Sequence, residues 1–261
     1  MTKPERLAPV LKIDELRRRT QSIEFVESLA EREASLAAAA TRQAINARRR
    51  ALAASEIKLA PNDYERIAND DLIETLALRL VRRWVTDHRQ WDCAHVKPGP
   101  GPMCRQCGAD LGVPRGPQPL RFLGLLGPVS IGKTVACAWA CANIGGHAIK
   151  AADVPRILRD YDRDERATRI LMCRLLVIDD LGTEPGRDGS PGQYFASALY
   201  ELIDARLSRR KCLTLVTSNL SRADIVARYE PRTITRIDHD GWFSEKLGTK
   251  SLRRAAPAVK P

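Results

Sequence analysis

The chain has 261 residues, enough for about two domains with cores of their own. Its 43 Lys plus Arg exceed its 32 Asp plus Glu by a formal +11, which points to a polyanionic partner, nucleic acid before an acidic membrane surface. No apolar run is long enough to span a bilayer, which excludes a helical membrane protein, and seven cysteines, three of them between positions 93 and 107, speak against a disulfide framework.

The basic excess is uneven. From Arg206 onward stand thirteen basic and five acidic residues, so the C-terminal part is the candidate phosphate-facing surface, with a merely solvated basic face as the alternative. Met1 to Arg19 is charged and lacks a signal-peptide apolar region, so a cytoplasmic protein is expected.

No glycine precedes Gly99, and the only prolines up to that point are Pro4, Pro9, Pro61 and Pro98, so the first ninety residues read as helical. Ile13, Leu16, Ile23, Val26 and Leu29 form one stripe of an amphipathic helix that continues through the alanine-rich residues 34–54. Pro61-Asn62-Asp63 breaks it. Asp71 with Glu74 resembles a capping box opening a second helix, on which Ile73, Leu76, Ala77, Leu80 and Trp84 share a face. Such a region carries little catalytic equipment. It is expected to bind a partner protein, to lie along nucleic acid through its arginines, or simply to cover the core that follows.

Cys93, His95, Cys104 and Cys107 come next, around a Pro/Gly-rich loop. Two residues between Cys104 and Cys107 let both thiolates face one ion, and Cys93 with His95 would complete a structural Cys₃His zinc site; His88 is the alternative to His95. Unligated thiols or a redox pair are the other reading. The remaining cysteines, Cys137, Cys141, Cys173 and Cys212, stand in apolar stretches and read as small core residues.

An apolar run, Leu120 to Leu126, then Gly127-Pro128-Val129-Ser130-Ile131-Gly132-Lys133-Thr134, then the alanine-rich Val135 to Ile144, read as strand, glycine loop and helix. This is the context in which a G-x-x-x-x-G-K-T loop cradles nucleotide phosphates with its amides, a lysine reaches the β- and γ-phosphates, and a threonine hydroxyl binds Mg²⁺. A plain glycine turn is the alternative. Leu175 to Ile178 describes a buried strand that delivers Asp179 and Asp180 at its C-terminal end, where parallel α/β sheets bind ligands. Asp179 is expected to hold Mg²⁺ and Asp180 to orient or polarise the attacking water; acidic turn residues are the bland reading. Leu213 to Ser218 repeats the form and ends in Asn219, whose amide is placed to bond the γ-phosphate or the water beside it. Gln193 to Leu207 reads as the helix between these two strands.

Residues 118–255 resemble the AAA+ ATPases of the DnaC, DnaI and IstB group, helicase loaders and transposition helpers. The resemblance rests on the loop 127–134, on Leu176-Val177-Ile178-Asp179-Asp180-Leu181-Gly182-Thr183-Glu184, and on Thr217-Ser218-Asn219-Leu220. Tyr200 to Arg206, Ile234-Thr235-Arg236-Ile237 and Gly248 to Arg253 add to it. It implies that Arg236 is an arginine finger reaching a neighbouring subunit, and that Arg253 is a second sensor closing on the nucleotide. Ser130 stands where many members have a third glycine. The short stretch between loop and acids implies that the DNA-contacting helices of some loaders are reduced or absent. Asp180, shorter than the glutamate of most AAA+ proteins, suits slow, switch-like hydrolysis.

The expected architecture is α/β: a three-layer P-loop AAA+ parallel-sheet domain over 116–255, after an all-helical partner-binding region (1–90) and a zinc segment (91–115), with a tail (256–261). The resemblance implies an ATP- and Mg²⁺-dependent loader that self-associates, contacts single-stranded DNA and docks a DnaB-type replicative helicase. The alternatives are an IstB-like helper with a transposase partner and a non-hydrolytic adaptor.

Overall fold

The structure, a computed structural model, describes residues 13–93, 104, 109, 118–161, 163–184, 186–187, 190–209, 211–244 and 247. His95, Cys107 and Arg253 lie outside the described residues. The chain divides into two compact units, residues 1–46 and 47–261.

Helix α1 (Ile13–Ser55) has its residues up to Asn46 in the first unit, and from Glu31 to Ala44 every one of them is exposed. The side chains of the stripe Ile13 to Leu29 lie outside the described set. In the second unit, Pro61 does more than end a helix. It opens α2 (Pro61–Asn69) from the first turn, where proline's missing N–H has no bond to make. Helix α3 (Leu76–Asp92) starts one turn later than the capping pattern predicts: Thr75 Oγ1 accepts from the N–H of Leu78 at 3.0 Å, while Glu74 pairs with Arg82 instead. The buried face of α3 is accordingly Ala77, Leu78, Val81, Trp84, Val85 and His88. Ile73 and Leu76, expected on that face, are exposed.

The sheet is built from β1 (Phe122–Leu126), β2 (His147–Lys150), β3 (Leu175–Leu181), β6 (Leu213–Ser218) and β7 (Gly241–Ser244). It runs in the order β2-β3-β6-β1-β7 with every pairing parallel. β1 and β6 are buried throughout and β3 at all but Asp180, as their continuous apolar runs require of strands covered on both faces. Phe122, Leu126, Leu176, Ile178 and Val216 point into a core shared with α5 (Val154–Arg159), α6 (Glu165–Met172), α7 (Gln193–Leu207) and α9 (Pro231–Asp240). Leu123, Leu125, Leu175, Val177, Leu213 and Leu215 face the other side, against α4 (Lys133–Ile144). Leu52, Ile67, Leu78, Val81 and Val85 belong to that second core, so α2 and α3 pack within the same unit as the sheet. Three layers result. Cys137, Cys141 and Cys212 are buried and Cys173 is partly so.

A short hairpin, β4 (Gly186–Arg187) with β5 (Ser190–Pro191), and α8 (Arg222–Arg228) are further described elements. Among the described residues a 3₁₀ turn (Ala151–Asp153) and two short helices, α5 and α6, lie between β2 and β3. No connection separates α9, which ends at Asp240, from β7, which begins at Gly241. A Cβ added at Gly241 would meet Phe122 Cβ at 2.6 Å and the Ile237 carbonyl oxygen at 2.8 Å, so this junction admits only glycine.

Candidate functional site

Because β6 lies between β1 and β3, the C-terminal ends of three parallel strands converge. The loop after β1 turns with positive φ at Gly127 (144°), Ser130 (67°) and Gly132 (89°), and Gly132 leads directly into α4. Ser130 therefore holds the left-handed conformation that glycine adopts freely, which explains why a glycine is favoured there. Inside this turn the Lys133 ammonium donates to the carbonyls of Gly127 at 2.5 Å and Pro128 at 2.7 Å, and to Asn219 Oδ1 at 3.0 Å. Burial pushes the Lys133 pKa down, against the pull of Asp180 and Asp179.

Asp179 is buried and its Oδ1 is shared: Thr217 Oγ1 donates to it at 2.7 Å, and Thr134 Oγ1 lies at 3.4 Å. Asp180 has left-handed φ (60°) at an irregularity in the β3/β6 register, and its N–H donates to Thr217 Oγ1 at 2.9 Å. Thr217 thus fixes both acids, a role with no signal in the sequence beyond its place beside Ser218 and Asn219. Lys150, at the end of β2, also went unmarked by any motif; its ammonium bonds Asp179 Oδ2 and Asp180 Oδ2.

Lys133, Thr134, Asp179, Asp180 and Asn219 all line one cleft of about 600 Å³. Much of the rest of its lining comes from α2, α3 and the segments before them: apolar Leu59, Leu72, Ile73 and Leu78, with the charged Lys58, Asp63 and Arg66 among them. The proline at 61 reads as a break, and nothing in the pattern joins these residues to a loop sixty positions away. They are held there by Asp70, which accepts from Trp139 Nε1 on α4 at 2.8 Å and pairs with Arg82 at 2.7 Å. Arg82 also stacks over the Trp139 ring, 5.3 Å from its centre. Ammonium, hydroxyl, carboxylates, amide and loop N–H groups on one wall, with apolar side chains interleaved with charged ones on the other, form a set able to hold a polyphosphate and its base together. The hard oxygen donors of Thr134 and Asp179, with a cation already seated on Asp179, fit a magnesium ion.

Other predicted residues lie elsewhere. Arg236, on α9, donates to Asp204 Oδ1 on α7 at 2.9 Å and does not line the cleft. Glu184, two residues past Gly182, is buried and ties the end of β3 to α8 through Arg228 Nε and the Tyr229 hydroxyl. Several described C-terminal arginines are paired with carboxylates, Arg222 with Asp238 and Arg232 with Glu230 among them.

Half of the expected metal-binding set is described. Cys93 Sγ and Cys104 Sγ, both buried, lie 3.6 Å apart. Two thiolates on one tetrahedral zinc stand roughly 3.8 Å apart, from Zn–S distances of ~2.3 Å. Among the described residues no three His, Cys, Asp or Glu side chains gather as a metal site. His88 points into the second core: its Nε2 is 3.0 Å from the Leu120 carbonyl and its ring stands edge-on to Trp84.

The sheet order and the loop at the end of β1 define an α/β fold of the P-loop kind. Among solved structures the chain is similar to that of the DnaC helicase loader, with 24% identity, 47% of this chain and 76% of that one covered, and a TM-score of 0.38. It is similar also to DnaI, at 19% identity over 78% of this chain and 93% of that one with a TM-score of 0.42. A structural-genomics target from Streptococcus pyogenes serotype M3, named for a primosome component, follows at 14% identity over 76% and 93% with a TM-score of 0.47. No family model and no curated protein matches the chain. Among the described residues no helix is long and apolar enough to cross a membrane.

Proposed function

We propose that the chain is an ATP-dependent AAA+ switch of the helicase-loader type, binding ATP with Mg²⁺ in the cleft between the 127–134 loop and residues 59–78. The observation that carries this reading is the meeting of Lys133, Thr134, Asp179, Asp180 and Asn219 from the ends of three strands in one cleft of nucleotide size. In this reading Lys133 leaves its carbonyl partners for the β- and γ-phosphates, and the loop amides take the remaining oxygens. Asp180 orients the water and Asn219 senses the γ-phosphate. Magnesium, held by Thr134 and Asp179, supplies neutralisation of phosphate charge. The base lies against Leu59, Leu72 and Ile73. Arg236 completes a neighbouring copy's site, and Arg253 closes over the nucleotide.

Cys93, His95, Cys104 and Cys107 hold a structural zinc, which clips the segment between the helices and the sheet; the spacing of the two described sulfurs supports it. The exposed α1 serves, with this segment, to dock a DnaB-type helicase, and basic residues contact single-stranded DNA with the steep salt dependence of counterion release. The test is calorimetric titration of ATP·Mg²⁺ into the chain and into Lys133→Ala, followed by capture of a DnaB-type helicase with and without ATP. Wild type is expected to bind, and the variant about hundredfold more weakly, since truncating a buried charged partner removes ~3 kcal/mol. Helicase capture should follow nucleotide occupancy. Absence of ATP uptake by wild type defeats the proposal.

A further inference from the structure

Lys150 faces the two acids from the end of β2, and the strand register sets it opposite Asp179. Its ammonium is 2.6 Å from Asp179 Oδ2 and 2.7 Å from Asp180 Oδ2. The other oxygen of Asp179 is occupied by Thr217 Oγ1 and faces Thr134 Oγ1. A divalent cation recruited by Thr134 and Asp179 therefore finds a positive charge already on the carboxylate. The two adjacent carboxylates repel each other, and the ammonium between them relieves that repulsion in the absence of metal. It cannot stay on Asp179 once a dication arrives, because two cations sharing one carboxylate in a partly desolvated cleft repel strongly.

We propose that Lys150 is a resident counter-ion that keeps the place of Mg²⁺ in the nucleotide-free protein, and that its departure from Asp179 sets how much magnesium the site requires. This rests on the ATP·Mg²⁺ reading above and deepens it. The side chain is 48% exposed, so it swings without disturbing the core. A recess of about 250 Å³ adjoins the cleft and shares Lys150 and Asp179 with it, which gives the displaced ammonium room; its other carboxylates, Glu56 and Asp153, are paired with Arg166 and Arg156.

The experiment uses the full chain, Lys150→Met and Lys150→Arg. Nucleotide-free protein is titrated with Mn²⁺ and read by the electron paramagnetic resonance of the free ion. A non-hydrolysable ATP analogue is then titrated at stepped Mg²⁺ concentrations. Lys150→Met should take up Mn²⁺ about tenfold more tightly than wild type, and the Mg²⁺ concentration that half-restores nucleotide affinity should fall by a similar factor. With chelator present the same variant should bind the analogue more weakly than wild type, because two uncompensated carboxylates then face the phosphates. Lys150→Arg should stay near wild type. Equal Mn²⁺ uptake and equal Mg²⁺ midpoints in wild type and Lys150→Met, with nucleotide bound by both, overturn the counter-ion and leave the ATP reading standing. Failure of wild type to bind nucleotide at any Mg²⁺ level overturns that reading and this inference with it.

Discussion

The two walls of the cleft are made in different ways. The wall of Lys133, Asp179, Asp180 and Asn219 stands on the ends of β3 and β6 and on the first residue of α4, and its side chains are cross-linked to one another, Lys133 to Asn219 and Asp179 to Thr217. The wall of Leu59, Leu72, Ile73 and Leu78 stands mostly on the segments that lead into α2 and α3, tied to α4 by the polar knot of Asp70, Arg82 and Trp139 and by Arg89 on the Asn143 carbonyl. Charged chemistry is thus placed by backbone register, and the apolar surface by side chains distant in sequence. Substitutions on the first wall should change reactivity without loosening the fold, whereas those on the second should loosen the fold and weaken binding without touching the chemical step.

The largest expected effect is on the strand wall. Asp180→Asn keeps a residue that tolerates left-handed φ, so its melting temperature should match wild type while single-turnover ATP hydrolysis falls ~10²–10³-fold, the usual worth of a positioned acid or base. A large loss of stability would show that this wall is also structural. On the helical wall, Asp70→Gly removes the knot while allowing the left-handed φ of 59° found there. It leaves Trp139 Nε1 and Arg82 without that acceptor, and thermal or denaturant unfolding should register a loss of ~1–3 kcal/mol. Nucleotide affinity should drop several-fold, with the hydrolysis rate of bound ATP unchanged. An unaltered melting curve would mean that the wall does not depend on the knot.

The smallest effect is a pH dependence behind the helical wall. Burial lowers the His88 pKa below its ordinary 6.5, partly offset by its bond to Leu120 and by Asp92. The unfolded chain therefore binds a proton there before the folded one does. The stability tied to neutral His88 is present above pH 6.5 and lost as pH falls through the folded pKa. Partly buried His147, also lowered by burial, acts in the same direction. Melting temperature should decline from pH 7 to pH 5.5, and less steeply in His88→Gln; identical slopes would remove His88 from the account.

The same contrast explains what was legible in the sequence. β1, β3 and β6 are largely apolar runs that end in glycine, carboxylates or an amide, α4 is alanine-rich, and α7 matches the range 193–207 read from the pattern. The loop, the acids and Asn219 stand at the ends of those runs, so their convergence follows once the strands are parallel neighbours. β2 is four residues of mixed polarity, His147–Lys150, and gives no periodic signal, which is why Lys150 was missed. β7 is similarly short, and α9 enters it without a punctuating loop. The cap of α3 falls on Thr75 and not on Asp71, since Glu74 of the expected box is engaged by Arg82, a pairing that no local pattern reports. Pro61 carried a readable signal: proline followed two positions later by an acid suits a helix's first turn as well as a break.

The direct passage from α9 into β7 leaves no slack between Arg236 and the sheet. β7 is the edge strand beside β1, and Gly241 is wedged under Phe122 on the strand that leads into the 127–134 loop. Any pull on the helix is delivered as a shear on that edge, since close-packed interiors shift as blocks and do not stretch. A neighbour gripping Arg236 would therefore be felt two strands' width away at most, by leverage through covalent backbone, with no flexible hinge to absorb it.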